Sequence, residues 1–463
     1  MKKHVFIAVA ILVSVLGASA QSVNIKWYPK VKVCAPQTHS FLGVSKEYAY
    51  QLINEKGWHI QKLDKNFTVI EEKLIPEMEY GGYKLKGNGL FNAYDVICVG
   101  NNAYILFNCY DRVNYKQLML VSKIKEDLSI EQPRAIASFT PCGGSQIATN
   151  ATVFETSENG NYVFYFQRCQ YESFAMVFDK DMKELWKTNY QLPWLEAGYL
   201  TMSNDGTYIV GNGSNDLLII TADKYTATTA EVGEKHVNNV LFKAIGNTVV
   251  MAGSYTTNEY TDDAEAGIFI SRYDVSTNQM KPTEYYPYLS KTFDKLEMKD
   301  RKMENKRYRI IALVVSETGH ITAISERDYT KRKCYADQFG TNCYDELVLG
   351  EKIVSGISST NEKVYEEVVN NTLKINAPIN MINGAFEIGT KSAMIYAGGV
   401  AVSEGYNIAL ISNNGNINPY PLQFDEPIDL SKWNFSFREV PSNRLLLEGE
   451  MGCYRKYGII NLD

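Results

Sequence analysis

An acidic cluster in the stretch between two apolar runs is the first candidate for chemistry. Glu259, Asp262, Asp263 and Glu265 carry the carboxylate oxygens that Ca²⁺ prefers as ligands. The stretch lacks the glycine that a calcium-binding loop places at its middle, and a solvated loop between strands is the simpler interpretation. The sequence therefore predicts no metal site.

The motifs of known catalytic chemistry are missing from the sequence. It contains no G-x-S-x-G, no H-E-x-x-H, no phosphate-binding P-loop and no EF-hand loop. Cys34 and His39 form the only close cysteine–histidine pair, and a structural zinc site needs four ligands. No catalytic residue is assigned, and no cofactor is predicted.

Aromatic side chains are the remaining candidates for a binding site. The chain has 32 tyrosines and five tryptophans, which can stack on sugar rings or pack against a peptide. Five of them lie next to a proline or near a cysteine-flanked polar loop, where inter-strand connections carry function. The predicted ligand-binding residues are Trp194, Tyr285, Tyr286, Tyr329 and Tyr335. The alternative is that these rings pack inside the fold.

The pattern of the first 20 residues predicts a secretory signal peptide. Lys2, Lys3 and His4 precede an apolar run from Val5 to Leu16, and Ala18-Ser19-Ala20 is a small-x-small cleavage pattern. The apolar run is too short to span a bilayer. We expect the mature protein to begin at Gln21 and to be secreted to the periplasm or the cell surface, with no membrane span.

The eight cysteines fit an exported protein, in which an even number permits disulfides. Cys34, Cys98, Cys109, Cys142, Cys169, Cys334, Cys343 and Cys453 allow 105 pairings, so spacing alone gives no connectivity. Cys334 and Cys343 are the simplest pair to propose, because they bracket a polar loop.

The composition is typical of a folded chain, and the net charge lacks the basic excess expected of a protein that binds nucleic acid. Hydrophobic residues make up 45% and charged residues 22%, and the formal net charge is −6. Residues 21–463 exceed the length of about 250–300 that one core supports. We expect a single domain over 21–463 in which each module packs only on its neighbours.

The apolar pattern has a period of two. Runs such as Tyr162–Phe166, Thr248–Met251 and Leu445–Leu447 are β-branched or aromatic and are bounded by turn-forming residues. Helical stretches are scarce, so the sequence predicts an all-β protein.

Two repeated units favour one all-β architecture. A Ser-x-x-Gly turn occurs at 157–160, 203–206, 316–319 and 412–415. Hairpin-like strand–turn units occur at 61–67, 122–128, 177–182, 221–225, 271–275, 349–351 and 411–415. Strand-only repeats of this kind are typical of a β-propeller. Seven blades are favoured, six or eight are possible, and the ring is expected to close by pairing Val23–Val33 with Arg444–Leu462. Two β-sandwich domains are the competing architecture, but they predict a composition break that is not seen.

Two sequence segments resemble those of secreted bacterial β-propeller-like proteins of unassigned function. The first is Phe178–Lys187 with its continuation Asn189–Pro193, and the second is Ile321–Glu326 through Tyr329, followed by Tyr344–Leu349. The polar loop at 331–342 departs from the pattern of that family. The resemblance implies a propeller fold and an exported location, and it carries over no functional residues.

Two classes of function remain open. The first is a non-catalytic binding or scaffolding propeller of the bacterial cell envelope, with a protein, peptide or glycan as partner and no role for nucleic acid. The second is a carbohydrate-active hydrolase or lyase with carboxylates in the propeller channel, which requires two carboxylates facing one sugar bond. The lack of catalytic motifs and the abundance of tyrosine favour the first.

Overall fold

The fold is nearly all strand. The computed structural model describes residues 23–27, 31–32, 42–54, 57–85, 88–89, 92–139, 152–157, 159–168, 173–190, 199–211, 215–221, 225–257, 266–294, 308–337, 340–369, 373–375, 384–388, 391–397, 406–424, 434–440, 444–451 and 454–461. The expected signal peptide lies outside these residues. A short helix, α1 (Ser290–Asp294), occurs within them. The all-β prediction is confirmed.

Most of the strands form antiparallel sheets of four or five strands, which we number as blades in chain order. The chain begins with β1 (Val23–Trp27) and β2 (Val31–Lys32). Blade 1 contains β3 (Leu42–Val44), β4 (Ala49–Asn54), β5 (Trp58–Leu63) and β6 (Val69–Leu74). A separate hairpin follows, made of β7 (Met78–Tyr80) and β8 (Tyr83–Leu85). Blade 2 contains β9 (Asn88–Gly89), β10 (Asn92–Val99), β11 (Asn102–Asp111), β12 (Lys116–Ile124) and β13 (Arg134–Phe139).

The next three blades follow the same order. Blade 3 contains β14 (Thr152–Thr156), β15 (Tyr162–Arg168), β16 (Ser173–Asp179) and β17 (Glu184–Tyr190). Blade 4 contains β18 (Tyr199–Met202), β19 (Tyr208–Gly211), β20 (Asp216–Ile220) and β21 (Tyr225–Thr229). Blade 5 contains β22 (His236–Ile245), β23 (Thr248–Thr256) and β24 (Ala266–Asp274), and its outer strand has two pieces, β25 (Gln279–Met280) and β26 (Glu284–Pro287).

The last three blades complete the set. Blade 6 contains β27 (Tyr308–Val315), β28 (Ile321–Asp337), β29 (Gly340–Ile357), β30 (Lys363–Val369) and β31 (Leu373–Ile375). Blade 7 contains β32 (Gly384–Ile388), β33 (Lys391–Ala397), β34 (Tyr406–Ile411) and β35 (Ile417–Phe424). Blade 8 contains β36 (Asn434–Val440), β37 (Arg444–Met451) and β38 (Tyr454–Asn461), and β1 and β2 both pair with β38.

Each sheet shares an apolar cluster with the next one, and the last shares one with the first. The side chains of a strand alternate between its two faces, so Leu445 and Leu447 pack against blade 7 while Leu446 packs against blade 1. The eight interfaces, in order around the ring, contain the pairs Leu52 and Ile105, Val121 and Phe178, Phe164 and Leu218, Ile209 and Phe269, Ile268 and Ile353, Val354 and Ala409, Ile395 and Leu447, and Leu446 and Leu42. This closed ring of sheets is a β-propeller.

We divide the described strands into eight blades, and the parallel pairing of β1 with β35 joins blades 7 and 8 into one nine-stranded sheet. The favoured count of seven blades is not confirmed. Six of the seven hairpin units found in the sequence fall at or near the link from the third to the fourth strand of a blade, in blades 1 to 5 and 7. The unit at 349–351 lies within β29 of blade 6. Blade 8 has no such unit because its fourth strand is β1, from the other end of the chain. The predicted closure of the ring by the two ends is confirmed.

The first strand of each blade is the innermost. In blade 2 we count β10 as the first strand, because β9 has only two residues. Six pairs of first strands from consecutive blades contact each other, namely β3 with β10, β14 with β18, β18 with β22, β22 with β27, β27 with β32 and β32 with β36. Because antiparallel strands alternate in direction, first-to-second and third-to-fourth connections lie on one face of the ring, which we call the turn face. The remaining connections lie on the opposite face, the loop face.

The recurring serine turns lie on the turn face. In each of the four, the serine carbonyl accepts a hydrogen bond from the N–H of the glycine three residues later. Those glycines have φ between +68° and +88°, a region that favours glycine. They are Gly160, Gly206, Gly319 and Gly415.

Candidate functional site

The predicted binding residues separate into three groups. Trp194 lies outside the described residues. Tyr329 and Tyr335 lie on the long strand β28, and Tyr285 and Tyr286 lie on β26. The described four therefore belong to neighbouring blades, 5 and 6.

A long hairpin extends from blade 6 on the loop face. Its strands β28 and β29 have 17 and 18 residues, and their pairing continues from Asp328 opposite Leu349 to Asp337 opposite Gly340. At about 3.3 Å per residue, the ten residue pairs of this segment span roughly 30 Å. We call residues 328–349 the arm. The expectation of a polar loop at 331–342 is wrong, because the described backbone there, up to Asp337 and from Gly340 onward, forms paired strands.

A disulfide joins the two strands of the arm. Cys334 and Cys343 are direct cross-strand partners with Cα atoms 4.1 Å apart, and both residues are exposed. The predicted pairing of these cysteines is confirmed. Tyr329 and Tyr335 lie on β28 within the arm, opposite Val348 and Asn342 in the strand register. Both candidate tyrosines therefore belong to the arm.

The arm is charged along its length. Lys331 is the cross-strand partner of Glu346, and Arg332 is the partner of Asp345. These positions belong to the continuous backbone register that makes the segment a paired hairpin.

A second cluster lies on the loop face of blade 5, and we call it the lysine–tyrosine cluster. The Lys235 ammonium lies 4.4 Å from the Tyr255 ring centroid and 4.7 Å from the Tyr285 ring centroid. The two rings meet edge to face, with centroids 5.1 Å apart. Tyr255 is buried, whereas Lys235 and Tyr285 are half-buried, so the cluster has an accessible side. A cation between aromatic rings is a surface on which a sugar or a peptide can pack.

Tyr286 points the other way, into the interface between blades 5 and 6. Its ring is buried in the shared apolar cluster, and its hydroxyl hydrogen-bonds with the Glu284 carboxylate and lies 3.2 Å from the Asn361 carbonyl oxygen. Burial, followed by the bond to Glu284, raises the pKa of Tyr286, so its hydroxyl stays protonated.

Buried ion pairs lie at the base of the arm. The Glu326 carboxylate is fully buried, 2.8 Å from the ammonium of Lys352 and 3.8 Å from the guanidinium of Arg309. On the other face of the blade, Arg327 and Glu351 form a pair at 3.2 Å. Sequence reasoning missed these residues. The available signal was a pair of adjacent opposite charges on each of two strands that pair with each other.

The described residues contain no group of three or more histidine, cysteine, aspartate or glutamate side chains placed to hold a metal ion. The described part of the chain also has no helix long and apolar enough to cross a membrane. What the loop face offers is aromatic rings, an ammonium group and an extended arm, which are the components of a binding surface.

Comparisons with known proteins find similarity among solved structures. No protein-family model matches the sequence, and no curated protein matches it. Among solved structures, the chain is similar to the Dos1 propeller, with 11% identity, 95% of each chain covered and a TM-score of 0.46. It is also similar to the WD40 domain of Toxoplasma gondii coronin, with 10% identity, 87% and 88% covered and a TM-score of 0.34. A third is the uncharacterised protein lmo1340 of Listeria monocytogenes EGD-e, with 10% identity, 89% and 99% covered and a TM-score of 0.36.

Proposed function

We propose that this chain is a non-catalytic binding or scaffolding propeller of the bacterial cell envelope. It engages a protein, peptide or glycan through the loop face of blades 5 and 6. One observation carries the proposal: the arm and the lysine–tyrosine cluster extend from neighbouring blades on the same face. Tyr285, Tyr329 and Tyr335 are the proposed contact residues, with Lys235 as their charged neighbour.

The arm supports this role because it extends beyond the strands that flank it in blade 6. The pairing of β27 with β28 ends with Tyr308 opposite Arg327, and the pairing of β29 with β30 ends with Lys352 opposite Val369. A long, disulfide-bridged hairpin that continues past these strands is best explained by contacts with another molecule. Apart from the pairing of β31 with residues 347–349, no described strand pairs with the outer edges of the arm, and an open strand edge suits a protein or peptide partner.

The test removes the arm and keeps the blade. Thr330 and Leu347 are cross-strand partners, so an Asn-Gly turn between them closes the shortened hairpin and preserves the pairing of β31 with residues 347–349. We expect this variant to unfold like the full chain and to lose cross-linking to envelope proteins or binding on a glycan array. Full retention of every partner by the shortened variant contradicts the proposal.

The alternative function is a carbohydrate-active hydrolase or lyase. Its carboxylates would belong to the innermost strands, where the described acidic positions are Asp95, Glu155, Glu387 and Glu439. A chromogenic-glycoside screen of residues 21–463 separates the two functions. Hydrolysis that one carboxylate-to-amide change abolishes would replace the binding proposal.

Export is part of the proposal. The basic start, the apolar run and the small-x-small pattern support cleavage after Ala20. Expression of the full chain in a bacterial host, fractionation and N-terminal sequencing test it. A mature protein beginning at Gln21 outside the cytoplasm is expected, and an uncleaved cytoplasmic product contradicts it.

A further inference from the structure

A pocket lies between blades 1 and 2 on the turn face, away from the arm and the lysine–tyrosine cluster. Its volume is about 370 Å³, and its lining includes Ser45, Tyr48, Tyr50, Lys62, Asn101 and Glu126. This volume lies within the range of small-molecule sites, which begins at about 300 Å³. Nothing proposed above for the loop face involves this pocket.

Lys62 is the unusual residue in the lining. It is only 6% exposed, yet its ammonium forms no ion pair among the described residues. Its contacts are a long hydrogen bond of 3.5 Å to the Glu126 carbonyl oxygen and the Tyr48 ring, whose centroid is 4.1 Å away. An ammonium group has three donors, and burying a charge without a counter-charge is costly. The pocket therefore holds a cation with unused donors.

The strand period explains why a lysine occupies this position. Ile60 and Lys62 lie on the same face of β5, which packs against blade 2, and Ile60 belongs to the cluster between the two blades. Lys62 comes two residues later, towards the turn face. An apolar side chain would simply extend the interface there, so the lysine calls for a separate explanation.

The surrounding groups restrict the kind of anion. Glu47 and Glu126 are exposed carboxylates of the pocket lining, and Lys125 is an exposed cation beside them. The two carboxylates repel a dianion such as phosphate more strongly than a monoanion. Burial raises the pKa of Tyr50 to about 12, so that its hydroxyl remains a neutral donor. Two further lysines line the pocket, but the Lys123 ammonium lies 3.7 Å from the Asp181 carboxylate and Lys125 is exposed. The single buried ammonium and its polar neighbours therefore match a single carboxylate on a polar body.

We propose that this pocket binds the carboxylate of a small organic acid of about monosaccharide size, with Lys62 as its counter-ion. The carboxylate accepts the unused Lys62 donors, and the body of the ligand packs between the two blades. An acidic sugar and an acidic amino-acid derivative share this chemistry. They are distinguished by the choice of probe.

The experiment is isothermal titration of the mature protein with D-glucuronate and with N-acetyl-L-alanine at low ionic strength. The controls are D-glucose, the neutral methyl ester of glucuronate, and inorganic phosphate. Saturable binding of at least one acid, with no binding of glucose or the ester, is expected. A preference for glucuronate assigns an acidic sugar, and a preference for N-acetyl-L-alanine assigns an amino-acid derivative.

A variant pair localises the binding. Lys62→Met keeps the chain length, removes the buried charge and is expected to weaken binding by about tenfold or more, the effect of losing a charge-assisted hydrogen bond. Lys116→Met, at an exposed position at the other end of blade 2, is expected to bind as the wild type does. Without ligand, Lys62→Met should melt no lower than the wild type, because it removes an uncompensated charge.

Four results would overturn the proposal: no saturable binding of either acid, equal binding by Lys62→Met, equal binding of the methyl ester, or tighter binding of phosphate. The ester comparison uses the unaltered protein, so it decides the question even if the variant does not fold.

Discussion

The guanidinium of Arg444 donates a hydrogen bond of 2.6 Å to the carbonyl oxygen of Lys65, a residue 379 positions earlier in the chain. Arg444 begins β37 of blade 8, and Lys65 lies in the turn between β5 and β6 of blade 1. The same guanidinium lies 5.8 Å from the Phe67 ring centroid. Arg444 is buried, so this contact joins the two ends of the ring beside the apolar cluster that blades 8 and 1 share.

Arg444→Ala should open this seam. We expect a loss of about 1.5–3 kcal/mol in the free energy of unfolding, the size of one hydrogen bond from a charged group. Urea unfolding followed by tryptophan fluorescence measures it. Arg112→Ala, in an exposed turn of blade 2, is the control and should change the unfolding midpoint little. Equal midpoints for both variants would mean that the seam is held by the apolar cluster alone.

The buried pair of Glu326 and Lys352 predicts that a double variant is more stable than the single variant Glu326→Gln. Glu326→Gln leaves the Lys352 ammonium buried without its partner at 2.8 Å, and should cost about 3–5 kcal/mol. Replacing both residues, with Glu326→Leu and Lys352→Met, removes both charges and should recover most of that loss. Arg309 is 38% exposed and can be solvated in the double variant.

Chemical denaturation of the two variants and the wild type checks this prediction. A double variant less stable than Glu326→Gln would show that the interface of blades 6 and 7 depends on the ion pair itself and not only on its charge balance.

The fold class could be predicted from the sequence because its signals are local. The Ser-x-x-Gly turns place a glycine where φ must be positive, and runs such as Leu445–Leu447 alternate between two interfaces, so both are readable within a few residues. The blade count was not readable in this way. The eighth blade takes β1 from the opposite end of the chain, and no local pattern records that pairing.

The candidate site was only partly predictable for a related reason. Tyr285 and Tyr286 are adjacent in sequence, but strand alternation sends one to the lysine–tyrosine cluster and the other into an interface. The sequence predicts exposed side chains at Lys62 and Glu326, because their burial depends on the neighbouring strands and blades. The polar composition of residues 331–342 predicts a loop, and it gives no sign of the cross-strand register that makes them part of a hairpin.

His320 should make the protein less stable in mild acid. Its side chain is buried against the Tyr365 ring, with centroids 6.1 Å apart, and its Nε2 has no hydrogen-bond partner among the described residues. Burial lowers the pKa of His320 below its ordinary value of about 6.5. The unfolded chain therefore binds a proton at a higher pH than the folded one. This contribution to stability is complete above the unfolded pKa and is lost as pH falls towards the folded pKa.

Urea unfolding at pH 7.5 and pH 5.5 tests this prediction. The wild type should lose more stability between the two values than His320→Gln does. His236→Gln, at an exposed position, should keep the wild-type difference. If His320→Gln shows the same pH dependence as the wild type, other groups account for the acid sensitivity.

The disulfide of the arm should protect the arm without holding the propeller together. Replacing Cys334 and Cys343 by alanine removes a crosslink that, for so short a loop, contributes about 2–3 kcal/mol to the local stability of the hairpin. Lys331, Arg332 and Lys333 are adjacent trypsin sites on the same strand. We expect trypsin to cut the variant in the arm much faster than the wild type, while the thermal midpoint of the blades stays nearly unchanged. That combination follows because the pairing of β28 and β29 with the flanking strands β27 and β30 ends before the arm begins, whereas a large fall in the midpoint would make the arm part of the folding unit and weaken the case for it as a binding element.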